Sequence, residues 1–162
     1  MKRVQAILAL SLAVCVAAPF AAASQAFAQT TDADIPGQKN ASHDITIDGW
    51  MRRSKHIHGL AAAYFTIRNT SSEPHLISGV SSTDCTDIDA YHSEQEMNER
   101  TASLFSHFTI PGNMTMVFPE GGYHLICKDF PDSVKPGDSV PITFSFLGGS
   151  RKTVTFKLRD RS

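Results

Sequence analysis

Three cysteines, one tryptophan and the lack of any dense basic tract are the scarcities that bound this 162-residue chain. Without a run of Lys and Arg there is no electrostatic footprint for a phosphate backbone, so nucleic acid is not an expected partner. No Cys-X-X-Cys occurs, which removes the usual sign of thioredoxin-like redox chemistry or of a zinc ribbon. Gly-X-Ser-X-Gly, His-Glu-X-X-His and a phosphate-binding loop are also missing, and the spacing of Asp and Glu matches ordinary solvated charge, so the chain does not read as an enzyme. Beyond the N-terminal region no apolar run is long enough to span a bilayer.

What is present begins with a processing signal. Lys2 and Arg3 precede an apolar run from Ala6 to Ala23, and Ala26-Phe27-Ala28 places small residues where a signal peptidase requires them. Residues 1–28 are therefore expected to be a signal peptide, with Gln29 opening a soluble periplasmic protein that does not insert into the membrane after processing. Leu12-Ala13-Val14-Cys15 approaches a lipoprotein box, but Val14 is bulky where Gly or Ala is wanted. Removing 28 residues leaves 134, enough for one domain with a modest core, and takes away two of the 15 basic side chains, so the net charge becomes 13 − 16 = −3. Cys85 and Cys127 remain. An oxidising compartment favours a disulfide between them, while the other reading keeps them as a reduced pair of sulfur ligands.

Residues 29–43 mix Thr, Asp, Pro, Gly, Lys and Asn without apolar periodicity and read as a flexible lead-in to a domain over 44–162. From Asp44 onward short alternating runs predict strands. In Ala61–Arg68 the residues Ala63, Phe65 and Ile67 share one face, and Ile142–Phe146 and Val154–Leu158 alternate likewise across a Gly148-Gly149-Ser150 hairpin turn. Further strands are expected at Leu76–Ser81, Ile88–His92, Leu104–Ile110, Met114–Phe118 and Tyr123–Lys128, with at most a helical turn within Ser93–Thr101. Eight or nine such strands predict an all-β, antiparallel Greek-key sandwich or barrel.

Several blocks carry a resemblance. Tyr91-His92 is followed after 32 residues by His124 within Gly121-Gly122-Tyr123-His124-Leu125-Ile126. Around them stand Gly49-Trp50 with Arg52, Ala62–Asn69, Ile110-Pro111-Gly112 and Pro136–Phe144, in register. Together they resemble the periplasmic PCu(A)C copper chaperones, which carry a His, a Met about ten residues on, and a Gly-Gly-Tyr-His-Leu-Met-like strand. The resemblance implies a cupredoxin-like β-sandwich that binds copper, as Cu(I) or Cu(II), and carries it towards a copper-accepting periplasmic or membrane-anchored partner. In the family that partner is the copper centre of a terminal oxidase.

The motif is incomplete: Ile126 stands where the last Met belongs and Ala102 where the middle one does. Residues two apart on a strand share a face, so His124 and Ile126 point to one place while Cys127 projects from the other. The candidate metal ligands are His92, His124 and Met97, with Cys85 and Cys127 as a disulfide or as alternative sulfur ligands. Thioether favours Cu(I), whereas imidazole also accepts Cu(II) and Zn(II), so a metal-free interaction module and a His-based Zn(II)/Cu(II) buffer are the competing functions. His56 and His58 read as solvated loop residues among basic neighbours, His75 and His107 as surface strand residues, and Met51, Met114 and Met116 as packing or exposed side chains.

Overall fold

The computed structural model describes residues 38–94 and 98–160. The expected signal peptide, residues 29–37 of the expected lead-in, and Met97 lie outside the described residues. The strands are β1 (Ile45–Arg53), β2 (Ala61–Asn69), β3 (His75–Ser81), β4 (Asp87–His92), β5 (Phe108–Ile110), β6 (Thr115–Phe118), β7 (Tyr123–Lys128), β8 (Ser139–Phe146) and β9 (Arg151–Arg159). They form one sheet in the order β4-β7-β2-β1-β9-β8-β3-β5, with β6 also pairing to β2. The fold is the all-β, cupredoxin-like architecture expected from the sequence. Two departures are local. β1 and β9 run parallel, in register Trp50↔Lys157 and Arg52↔Arg159, so the sheet is not wholly antiparallel. The run expected as one strand over Leu104–Ile110 divides into a 3-10 turn, Leu104–Ser106, and β5.

Period-two alternation turns the inward side chains of the curled sheet into a single core. Phe65 stacks on Phe118 with ring centroids 4.4 Å apart, and Phe105, Phe144 and Phe156 surround it. Burying each such ring stabilises by about 1.5–3 kcal/mol. Close packing explains Gly49 in the Gly49-Trp50 block: a Cβ there would lie 2.6 Å from Phe156 Cζ and 2.7 Å from the Tyr64 carbonyl oxygen. Met51 is a core residue and Met116 is half-buried against the core.

The packed domain starts earlier than residue 44. The Gln38 side chain donates to the Pro74 carbonyl and accepts from the Leu76 N–H, and Ala41 is fully buried within the short helix α1 (Ala41–Asp44). Residues 38–43 thus pack onto the domain, because the Gln38 amide satisfies backbone groups at the start of β3 and Ala41 joins the core. His75 is not a surface residue either. It is fully buried, with Nε2 2.8 Å from the Asp44 carboxylate and 3.3 Å from the Ser71 hydroxyl, tying α1 to β3. Among the described residues of the Ser93–Thr101 region, those from Glu99 onward are helical, forming α2 (Glu99–Ala102), which Asn98 caps by accepting from the Thr101 N–H.

Candidate functional site

β7 lies between β2 and β4, which decides the surroundings of its outward side chains. Its inward residues Leu125 and Cys127 join the core, while His124 and Ile126 face out. Register places Tyr91 of β4 directly opposite His124, and β2 brings Tyr64 to its other side. The ring centroids are 5.3 Å and 5.1 Å from that of His124. Trp50 continues the row on β1 at 4.8 Å from Tyr64, with the Arg159 guanidinium 4.2 Å above its ring. His124 is therefore only 4% exposed although it stands on the outer side of the sheet.

The turn before β7 fixes the state of this imidazole. Gly122 donates its N–H to the Pro119 carbonyl and turns its own carbonyl to His124 Nδ1, 2.9 Å away. A carbonyl only accepts, so Nδ1 carries the proton and Nε2 of the neutral ring keeps its lone pair. Burial holds the His124 pKa below its ordinary value, and the nearby His92 adds to that; the Gly122 bond and Glu120 act in the other direction. Nε2 has no hydrogen-bond partner among the described residues, and His124 lines a cleft of about 510 Å³. Arg52, at the cleft wall, pairs with Glu120 at 2.8 Å and hydrogen-bonds Tyr64, whose hydroxyl pKa is raised chiefly by burial.

His92 is arranged differently. It pairs with Tyr123, one position out of step with the Tyr91–His124 pair, so alternation directs the two histidines to opposite faces of the sheet. Its ring meets Tyr123 edge-on at 4.5 Å. His92 Nδ1 accepts the Glu94 N–H at 3.2 Å, which leaves the proton of a neutral ring on Nε2, the reverse of His124. The two are close enough for His92 to influence the His124 pKa, yet in this arrangement they do not present lone pairs to one point.

Cys85 and Cys127 are joined by a disulfide, so neither sulfur is a thiolate ligand and the reading of them as alternative sulfur ligands is corrected. The bond links the loop before β4 to the inward face of β7, as strand alternation required of Cys127. Ile126 shares the His124 face and lines the same cleft without a donor atom. Among the described residues no group of three or more His, Cys, Asp or Glu side chains is gathered as a metal cage. Sequence reasoning missed Tyr64 and Tyr91 as the walls of His124. Tyr91 was signalled by its place directly before His92, and Tyr64 by being the one aromatic on the outward register of β2.

Residues 45–158 match the family model LpqE-like, described as "Putative lipoprotein LpqE-like". The chain belongs to the LpqE-like family. Two curated relatives are similar at lower identity. The "Putative lipoprotein Lxx21020" of Leifsonia xyli subsp. xyli is 24% identical over 131 residues, covering 80% of this chain and 77% of that protein. A Rickettsia prowazekii protein, RP573, is 26% identical over 119 residues, covering 70% of this chain and 65% of its own length. Among solved structures, the copper-bound PCuAC domain from PmoF2 superposes with a TM-score of 0.59 at 18% identity, over 73% of this chain and 94% of that one. The Cu(I)-bound DR1885 of Deinococcus radiodurans gives 0.56 at 19% identity, over 70% of this chain and 76% of that one. This LpqE-like chain thus has the fold of the PCuAC domains.

Proposed function

We propose that this LpqE-like protein is an exported copper-binding protein of the PCuAC type, anchoring the metal on His124 and carrying it to an acceptor. The observation that carries the reading is the His124 imidazole, which burial favours in its neutral form and the Gly122 carbonyl fixes as the Nδ1–H tautomer, in a ring that lines the cleft. A metal-binding histidine normally donates its other ring N–H to a carbonyl in this way. The likeness of the fold to copper-bound PCuAC domains supports the choice of metal. Copper is cargo here, and a site with few fixed ligands suits cargo because donors from an acceptor can replace its own one at a time.

His92 is the second ligand in this proposal, once its ring exchanges the Glu94 N–H for the metal, and Met97 is the nearest thioether in sequence. With Ile126 in place of a thioether on the His124 face, Cu(I) is held less tightly than by a complete His/Met set. The acceptor, by analogy with the resemblance, is a terminal-oxidase copper centre. Export rests on the N-terminal Lys-Arg, apolar and Ala26-Phe27-Ala28 segments, with cleavage after Ala28. The family's description as a lipoprotein favours a second form of export, lipidation of Cys15 in Leu12-Ala13-Val14-Cys15. Intact mass of the envelope-derived protein distinguishes a Gln29 start from a lipid on Cys15. No helix among the described residues is long and apolar enough to cross a membrane.

A metal-free interaction module is the second functional reading, favoured by Ile126 and by the opposite facing of His92 and His124. Titration with Cu(I), Cu(II) and Zn(II) of the unmodified protein, His92→Ala, His124→Ala and Ile126→Met separates the readings. Copper uptake that disappears in His124→Ala and tightens for Cu(I) in Ile126→Met supports the carrier. Absence of uptake in both the unmodified protein and Ile126→Met leaves the interaction module, and preferential uptake of Zn(II) identifies a His-based buffer.

A further inference from the structure

The turn that fixes His124 has little of its own to hold it. Between Pro119 and Tyr123 the chain reads Glu120-Gly121-Gly122, so Glu120 carries the one side chain in that stretch. A Cβ built on Gly121 would meet nothing within 4 Å, so no neighbouring atom wedges this glycine in place. Glycine also has the most backbone freedom to lose. Yet the Gly122 carbonyl stands 2.9 Å from His124 Nδ1, and that contact decides which ring nitrogen carries the proton.

The bonds that reach this turn from β1 and from the end of β4 both end on Glu120. Its carboxylate accepts from Arg52 at 2.8 Å, and its carbonyl accepts from the Ser93 hydroxyl at 2.7 Å. Arg52 also hydrogen-bonds Tyr64, one wall of His124, and Ser93 directly follows His92. We infer that Glu120 is a positioning residue for the proposed metal site: tied to Arg52 and Ser93, it sets the Pro119–Gly122 turn so that the Gly122 carbonyl keeps His124 in the Nδ1–H form, with the Nε2 lone pair left for a metal. Placement and charge pull in different directions here. The Glu120 carboxylate favours the protonated imidazolium, which cannot bind a metal, so its charge works against the site while its two anchors serve it. The consequence for metal uptake rests on the copper reading, whereas the tautomer is a property of the metal-free protein.

Two-bond 1H–15N correlation spectra of the chelator-treated, 15N-labelled protein at pH 7.5 test it, with His124→Gln assigning the signals. The unmodified protein is expected to show His124 as Nδ1–H. Ser93→Ala/Glu120→Ala should convert it to a mixture of both tautomers, and Glu120→Ala alone should do so in part. Glu120→Gln, which keeps an oxygen for Arg52, should retain the Nδ1–H form. Ser93 and Glu120 are both exposed, so the melting temperature should hardly change. An unaltered Nδ1–H ring in the double variant overturns the inference, and so does a Glu120→Gln spectrum matching that of Glu120→Ala, since charge would then be at work. Copper uptake, measured separately, should weaken about tenfold in the double variant and recover in Glu120→Gln. Equal uptake by the double variant and the unmodified protein overturns the role at the metal site. A tautomer change without uptake by any variant supports the positioning of His124 and sinks the copper reading instead.

Discussion

Two histidines of this chain are almost wholly out of solvent, and the fold uses them in opposite ways. His75, at 0% exposure, is tied at Nε2 to Asp44 and Ser71, and its Nδ1 is enclosed with no partner among the described residues. His124, at 4%, is tied at Nδ1 to a carbonyl, has no hydrogen-bond partner for Nε2 among the described residues, and lines a cleft. Burial alone therefore does not distinguish a strut from the metal ligand proposed above. The ring nitrogen that is left over, and whether the ring lines a cleft, does.

The strongest test of this contrast acts on what holds the strands that carry the two rings. β7 is held by the Cys85–Cys127 disulfide, which closes a 42-residue separation. Cys85→Ser/Cys127→Ser should lose about 3–4 kcal/mol in urea unfolding, as loop-closure entropy predicts. The unmodified protein should leave both sulfurs unlabelled by a thiol alkylating reagent. Free labelling, or a loss below 1 kcal/mol, would mean that the disulfide does not brace the His124 strand.

The next largest effect belongs to the strut. His75→Ala removes the link between α1 and β3 and leaves a void beside Asp44, so a loss of about 2–3 kcal/mol is expected with copper uptake unchanged. His124→Gln should cost only about 1 kcal/mol, because one carbonyl bond and ring packing are lost, yet it should abolish the uptake proposed above. The contrast collapses if the two variants exchange these outcomes.

A smaller signature is expected with pH. Because the folded-state pKa of His124 lies below its unfolded value, the unfolded chain binds more protons in that range and stability rises with pH. The His124 contribution is present above the ordinary value near 6.5 and is lost as pH falls below it towards the folded-state pKa. Urea midpoints from pH 7.5 to 5 should therefore fall less steeply in His124→Gln than in the unmodified protein. Parallel slopes would show that the ring is not held neutral.

Much of this was legible in the alternation of the chain. Ala63, Phe65 and Ile67 are core residues as their spacing required, the Gly148-Gly149-Ser150 hairpin joins β8 to β9, and the two cysteines are bonded. Other features depend on register, which no single strand encodes. The pairing of β4 with β7 is out of step by one residue from what would bring His92 and His124 to one face. His75 read as a surface residue because its partner, the half-buried Asp44, lies 31 positions earlier and reaches it only through α1. Gly112 lies in a turn, and the Ser72 backbone, which comes from a distant part of the sequence, packs so closely there that any side chain would collide.

The parallel pairing of β1 with β9 has its own consequence for how the chain reaches this state. The first strand of the sheet waits for the last, and until Trp50 meets Lys157 both β1 and β8 present an open edge. Contacts so distant along the chain form slowly. A nascent polypeptide lacking β9 cannot complete the sheet, so folding becomes committed only once that strand has been made. Such delayed closure fits the export proposed above, because the sheet stays open until β9 is available.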